Sequence, residues 1–221
     1  KINFELLNTG ISANIKLNFK QKSKSTNGIF KSNIMNTKLK FNFDYDKKLL
    51  NIYNSYFRSK NISLKNESLI ILDPFIEVNS RFIIEEFNPK IFKKINYEFF
   101  LNNKNILIKF NIKNEISFSS KKFTNNLIDQ LRLNIDFAYG RVTFLKNFEI
   151  SDNNFECDGS INVLEDYPLL FFNCNMIANE KQKLLKKFSI KTKDKNKSLN
   201  LKVVGNLNII NKKINFESIT M

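Results

Sequence analysis

The sequence contains no histidine and no tryptophan, and it has only five glycines, three prolines and two cysteines among 221 residues. Without histidine, a Ser-His catalytic arrangement is excluded and the common nitrogen ligands of zinc are missing. No glycine-rich phosphate-binding motif is present. The residue types therefore predict no catalytic site, and we expect neither a metal nor a cofactor.

Long hydrophobic runs are also missing. The longest apolar stretches, at 69–72 and 169–172, have the length of a strand, whereas a membrane-spanning helix needs roughly 18 apolar residues. The sequence shows no signal peptide. We therefore expect any membrane anchor or export signal of the parent protein to lie outside residues 1–221.

One charge sign dominates, because 36 lysines and arginines outnumber 21 aspartates and glutamates to give a net charge of +15. Such a balance is compatible with nucleic-acid binding. The lysines are scattered, however, with local clusters only at 20–24, 93–94 and 181–197, and a nucleic-acid groove more often has a compact basic patch with interleaved aromatics. We expect no nucleic-acid partner, and a basic surface near anionic lipid headgroups accounts for the charge equally well.

The sequence does contain a regular alternation of apolar and polar residues, which is clearest at 131–176. A period of two is typical of a strand with one buried and one wet face. Turns are indicated at 139–140 and 165–168, and shorter strands are predicted at 142–145 and 148–150. The pattern predicts an antiparallel meander with one apolar face. Its longest apolar rows are Leu131, Leu133, Ile135 and Phe137; Phe155, Cys157, Gly159, Ile161 and Val163; and Leu170, Phe172, Cys174 and Met176.

Two Lys-rich segments with a helical pattern interrupt the strands. The first, at 89–97, begins with Asn88-Pro89, in which asparagine is a favourable cap and proline suits the first helical position. The second lies at 179–187. The sequence therefore predicts two short amphipathic helices in an otherwise β protein.

The chain also resembles itself. A shift of 94 residues places Leu39, Phe43 and Tyr45 on Leu133, Phe137 and Tyr139, and both segments continue to a Pro-containing turn and a Lys-rich helix. Repeats that cannot close a core alone stack edge to edge. We therefore expect a leading strand and loop at 1–34, at the edge of the sheet, a first repeat at 35–128 and a second repeat at 129–221.

Two acidic pairs and the two cysteines are the remaining chemical candidates. Asp44 with Asp46, and the adjacent pair at 85–86, could support acid–base chemistry or bind a metal, but their position beside turns favours solvated carboxylates. Cys157 and Cys174 are placed symmetrically about the turn at 165–168. They either form a cross-strand disulfide, which implies an oxidising compartment, or remain two buried thiols.

The segments LKFNFDYDKKLLNIYNSYFRSKNISLKNESLIILDPFIEV (39–78) and LRLNIDFAYGRVTFLKNFEISDNNFECDGSINV (131–163) resemble the AsmA-like family of envelope proteins from Gram-negative bacteria. The shared pattern is a strand ending in an aromatic residue and a turn, then further strands and a Pro-containing turn. The resemblance covers about 35–78 and 131–176. It implies a periplasmic protein held by an inner-membrane helix outside this segment, with an elongated, twisted antiparallel sheet curled into a groove, as in bridge-like lipid-transfer proteins.

A groove of this kind would accept the acyl chains of phospholipids or other lipids without any catalytic residue. The competing interpretation is a structural or partner-binding β-domain of the cell envelope, in which the same residues form an ordinary sealed core. The predicted groove-lining residues are Phe43, Ile135, Phe137, Ile161, Phe172, Val203 and Leu207.

Overall fold

The computed structural model describes residues 2–6, 10–20, 25–34, 36–88, 108, 111–119, 128–191 and 198–221. These residues form fourteen strands and one short helix, which confirms the predicted mainly β class. All the strands belong to one sheet, in which spatial order follows chain order from β1 to β14. The elements are β1 (Ile2–Leu6), β2 (Ile11–Lys20), β3 (Ser25–Ile34), β4 (Thr37–Tyr45), β5 (Leu49–Arg58), β6 (Ile62–Ile71), β7 (Glu77–Phe87), β8 (Asn111–Ser119), β9 (Gln130–Ala138), β10 (Arg141–Ile150), β11 (Asn153–Asn162), β12 (Leu169–Ala178), α1 (Lys181–Lys187), β13 (Leu199–Asn208) and β14 (Lys213–Thr220).

Tight turns explain why consecutive strands pair antiparallel. Tyr139 and Gly140 join β9 to β10, and both have positive φ, at 50° and 79°. Ser151 and Asp152 join β10 to β11 in the same way, with φ of 51° and 62°. Two residues of positive φ match the right-handed twist of paired strands. These turns fix the register of β9, β10 and β11, and hence which side chains share a face.

The chain divides into two compact units. Unit 1 comprises Lys1–Asn96 with Phe110–Glu115, and unit 2 comprises Tyr97–Lys109 with Ile116–Met221. Unit 1 contains the antiparallel ladder from β1 to β7, and unit 2 contains the ladder from β9 to β14.

The predicted break within β10 is wrong. The strands expected at 142–145 and 148–150 are parts of one strand, and Lys146 pairs with Leu133 on one side and Cys157 on the other. Lysine at an apolar position resembles a break in the sequence pattern, but backbone pairing on both sides holds the strand together. Register therefore places this lysine among apolar side chains.

One of the two predicted helices is present in the described residues. It is α1, which overlaps the segment expected at 179–187. The helix expected at 89–97 lies outside the described residues, and the tandem repeat with its boundaries at 34 and 128 stays a prediction.

Helix α1 covers one end of unit 2. Leu184, which is 2% exposed, packs with Ile150 and Ala178 in the buried core cluster. Asn153 is fully buried beside it and accepts a hydrogen bond from the backbone N–H of Glu180 at 3.2 Å. Its side-chain amide donates to the carbonyl oxygens of Ile150 and Ser151. The cluster is completed by the partly buried side chains of Phe148, Phe155, Met176 and Leu199.

Candidate functional site

The strands of unit 2 align their apolar side chains in rows across one side of the ladder, which we call the apolar face of unit 2. Every second residue of each strand points to this face, and register extends the rows from strand to strand. In chain order the two rows that cross all six strands are Ile135, Phe144, Gly159, Phe172, Gly205 and Phe216, and Leu133, Lys146, Cys157, Cys174, Val203 and Ile219.

Six of the seven predicted groove-lining residues lie on this face. Ile135 and Phe172 belong to the first row, and Val203 belongs to the second. Val142 pairs with Phe137 on one side and with Ile161 on the other, beside the first row. Leu207, also beside the first row, pairs with Leu170 and Ile214. The sequence pattern therefore placed these six residues on one side of the ladder.

Phe43 belongs to unit 1. It pairs with Gly28 on one side and Ile52 on the other. A Cβ atom on Gly28 would lie 2.7 Å from the Cζ atom of Phe43, so the ring covers the glycine. Phe41 lies 6.1 Å from Phe43 between ring centroids. This part of unit 1 also has an apolar surface, built around aromatic rings.

Phenylalanine and glycine alternate in the first row of the apolar face. A Cβ atom on Gly159 would lie 2.6 Å from Cε1 of Phe144, and one on Gly205 would lie 2.9 Å from Cζ of Phe172. Each ring therefore lies over the backbone of a neighbouring strand, an arrangement that covers glycine in β-sheets. These rings therefore give the backbone of the sheet an apolar cover within the row itself.

The second row carries a disulfide. Cys157 and Cys174 are directly opposite in β11 and β12, as the symmetric spacing predicted, and their sulfur atoms are bonded. Their Cα atoms are 4.1 Å apart, which is close to the short spacing of non-hydrogen-bonded antiparallel pairs. The bond links two central strands of the apolar face.

Most apolar side chains of this face in β9–β13 are only partly buried by the described residues. Since every described strand belongs to the sheet, α1 is the only other element among the described residues that can cover it. The buried hydrophobic side chains of the described residues are Phe118, Ile150, Ile161, Ala178 and Leu184.

Lys146 is a residue of the apolar face that the sequence pattern did not identify. It is half-buried, and its Nζ atom lies 4.5 Å from the centroid of the Phe148 ring. Burial lowers the pKa of the Lys146 ammonium group from its ordinary value, because the charged form loses water. The sequence could have revealed its position through strand parity, since Lys146 is two residues from both Phe144 and Phe148 and therefore points to the same face.

The acidic pairs have local partners. Asp46 accepts hydrogen bonds from the backbone N–H groups of Lys48 and Leu49, at 2.9 and 2.8 Å, and so closes the turn between β4 and β5. Glu85 accepts from Lys65 at 2.7 Å, which lowers the pKa of its carboxyl group. Within the described residues, no group of three or more Cys, Asp or Glu side chains could hold a metal ion.

None of the described helical residues forms a segment long and apolar enough to cross a membrane. Comparison of the chain with protein-family models, curated proteins and solved structures finds no match.

Proposed function

We propose that this chain is an AsmA-like periplasmic domain that binds phospholipid acyl chains on its apolar face and conducts them between the inner and outer membranes. The observation that carries the proposal is the continuous apolar surface of unit 2, most of whose side chains the described residues bury only in part. The sequence resemblance to envelope proteins supplies the biological setting.

Acyl chains suit such a surface energetically. Transfer of one methylene group from water to an apolar contact is favourable by about 0.8 kcal/mol. A surface made of Leu, Ile, Val and Phe rows offers similar contacts over several strands, so a chain can slide without losing a specific partner. Conduction along it needs no bond making or breaking, and the proposal is therefore a non-enzymatic one.

The remaining parts of the proposal concern shape and compartment. Sheets twist because of strand geometry, and we propose that this sheet curls around its apolar side to form a groove. The bond between Cys157 and Cys174 fits an oxidising compartment such as the periplasm. Attachment to the inner membrane would come from a segment outside residues 1–221.

A partner-binding β-domain without lipid conduction is the second candidate, and strand β14 favours it. Ile214, Phe216 and Ile219 are each more than half exposed in this outermost strand. An outermost strand with apolar side chains can add a strand from another polypeptide through its free backbone groups.

Adjacent phenylalanines in β12 provide the test. Phe171 points to the polar side and is 49% exposed, whereas Phe172 is on the apolar face. A photo-crosslinking amino acid at position 172 is expected to capture co-purifying phospholipid, and the same amino acid at 171 is expected to capture far less. Lipid extraction and native mass spectrometry of the wild-type protein should detect the bound lipid directly.

Charge substitution separates an open face from a sealed core. Phe172→Asp on an open face keeps its carboxylate partly hydrated, so we expect lost lipid with only a modest fall in Tm, and we expect Phe171→Asp to retain lipid. Wild-type protein without lipid or crosslinks, together with unfolding of Phe172→Asp, would refute lipid binding and leave the β-domain interpretation.

A further inference from the structure

Among the described residues of β9–β14, one cationic side chain, that of Lys146, lies inside the apolar face of unit 2. Lys146 has Leu133 and Cys157 as its cross-strand neighbours. Phe144 and Phe148 are two residues away along the same strand and therefore share its face. All four neighbours are apolar, so the ammonium group is placed in an environment that offers it no hydrogen-bond acceptor from these side chains.

Carboxylates near Lys146 in sequence and register belong to the other side of the sheet. Asp136, Glu156 and Asp158 have the opposite parity to the apolar rows of β9 and β11. Within the part of the chain that the structure describes, no carboxylate forms an ion pair with Lys146. Its Nζ atom instead lies over the Phe148 ring, 4.5 Å from the ring centroid.

An ammonium group in this position costs free energy unless something compensates for the lost water. A cation–π contact compensates only in part. Burial also lowers the pKa of Lys146, which shows that the charged form is disfavoured here. An anion beside Nζ would offset this cost, and apolar rows on both sides of the lysine restrict the suitable anion to one that carries hydrocarbon.

We propose that Lys146 binds the negatively charged headgroup of an anionic phospholipid whose acyl chains lie on the neighbouring apolar rows. This inference rests on the lipid-binding function proposed above, and it adds the class of lipid and the residue that selects it. The phosphate oxygens would accept charge-assisted hydrogen bonds from Nζ. The chains would contact Ile135 and Phe144 on one side of the lysine, or Leu131 and Phe148 on the other.

Two soluble lipids with the same acyl chains test the proposal. Dioctanoyl phosphatidylglycerol carries an anionic headgroup, and dioctanoylglycerol carries none. We expect the wild-type chain to bind the anionic lipid about tenfold more tightly, because a hydrogen bond between charged groups adds to the shared chain contacts. Lys146→Met should reduce the affinity for phosphatidylglycerol to that for dioctanoylglycerol and leave the latter unchanged, as measured by calorimetric titration.

Matched variants control for charge and folding. Lys202→Met removes an exposed lysine of the opposite side, opposite Asn175, and should change neither affinity. The double variant Leu145→Lys/Lys146→Leu keeps the composition but moves the charge to the polar side, where Leu145 is exposed, and should behave like Lys146→Met. Its Tm and that of Lys146→Met should not fall below the wild-type value by more than a few degrees.

The outcomes distinguish the two proposals. Wild-type protein that binds neither lipid would overturn lipid binding itself. Equal affinity for both lipids, unchanged in Lys146→Met, would overturn headgroup selection by Lys146 while leaving lipid binding in place. Equal loss of both lipids in a folded Lys146→Met variant would also overturn the selective role, because it would show a contribution to chain contacts instead.

Discussion

Unit 1 and unit 2 are built from the same antiparallel hairpins but place different side chains in their apolar rows. In unit 2 the rows consist of apolar residues, glycines and the disulfide, with Lys146 as the charged exception. In unit 1, Ile52 pairs with Ser68, and Ser68 pairs with Ser80. These two serines are buried, with their hydroxyl oxygens 2.7 Å apart.

The two units also differ in how regular the register of their strands is. The ladder of unit 1 has irregularities between Lys40 and Asn42, between Ile52 and Phe57, and between Ser63 and Leu64. The described ladder from β9 to β14 in unit 2 has one, between Val204 and Gly205. An irregularity inserts unpaired residues and increases local twist. The described strands of unit 2 therefore present longer uninterrupted apolar rows, and under the function proposed above we expect acyl chains to bind more tightly to unit 2 than to unit 1.

The largest effect is expected from removal of the disulfide between Cys157 and Cys174, which lies in unit 2. It closes a loop with a sequence separation of 17, and such a constraint on the unfolded chain is worth about 3 kcal/mol. The double variant Cys157→Ala/Cys174→Ala should lower the free energy of unfolding of unit 2 by about this amount. Hydrogen–deuterium exchange should show faster exchange in β11 and β12, measured peptide by peptide.

The β3 and β4 strands of unit 1 provide the internal control for that experiment. Their exchange should stay unchanged, because the disulfide joins strands of unit 2 only. Equal acceleration in both units would contradict the expectation that the disulfide stabilises unit 2 alone.

Strand parity made much of unit 2 predictable. The alternation at 131–137, the turn at 139–140 and the symmetric spacing of Cys157 and Cys174 gave the correct face and register, because side-chain period and turn length fix both. Lys146 was missed as a member of the apolar face, since a lysine in that pattern resembles the end of a strand. Pairing on both sides overrides this local signal.

Unit 1 was less predictable for a related reason. Ile52 and Phe57 pair with Phe43 and Leu39 on the same side of β4, although their own positions in β5 have opposite parity. The irregularity near Asn54, whose φ is 48°, accounts for the change. A pattern read at a strict period of two cannot reveal where such an insertion occurs.

A smaller effect is expected from the buried serines of unit 1. The Ser68 hydroxyl donates a hydrogen bond to Asn66 Oδ1 at 2.9 Å. It also forms a hydrogen bond with the Ser80 hydroxyl. Ser68→Ala should lower the free energy of unfolding by about 1 kcal/mol, because it leaves the buried hydroxyl of Ser80 without this partner. Adding Ser80→Ala should cost little more, since the Ser80 hydroxyl has by then lost this partner. Urea denaturation measures both steps.

Unit 2 contains a matched control for the two serine variants. Ser218 is exposed in β14 of unit 2, and Ser218→Ala should leave stability within about 0.5 kcal/mol of the wild type. Additive costs of Ser68→Ala and Ser80→Ala would show that the two hydroxyls contribute independently, despite the 2.7 Å between them.

The smallest effect is expected from the ion pair of unit 1 that joins β6 to β7. Glu85 accepts hydrogen bonds from Lys65 Nζ at 2.7 Å and from Ser63 Oγ at 3.2 Å. The hydrogen bond from Lys65 is the main reason that the pKa of Glu85 is lowered, and burial opposes it. A carboxyl group with a lowered folded-state pKa adds stability above its unfolded pKa, which is about 4.3. That stability is lost as the pH falls through the folded-state value.

Glu85→Gln isolates this contribution. Because Lys65 is largely exposed, solvent screening limits the pair to about 0.5 kcal/mol. The variant should be less stable than the wild type by that amount at pH 7, and the gap should narrow as the pH falls below the unfolded-state pKa, because protonation of Glu85 removes its charged interaction with Lys65. Glu86→Gln, at the exposed neighbouring position, should show no such convergence. If urea denaturation finds that the gap between Glu85→Gln and the wild type widens toward pH 3, the pair does not stabilise unit 1, and β6 and β7 depend on their backbone ladder and the serine contacts alone.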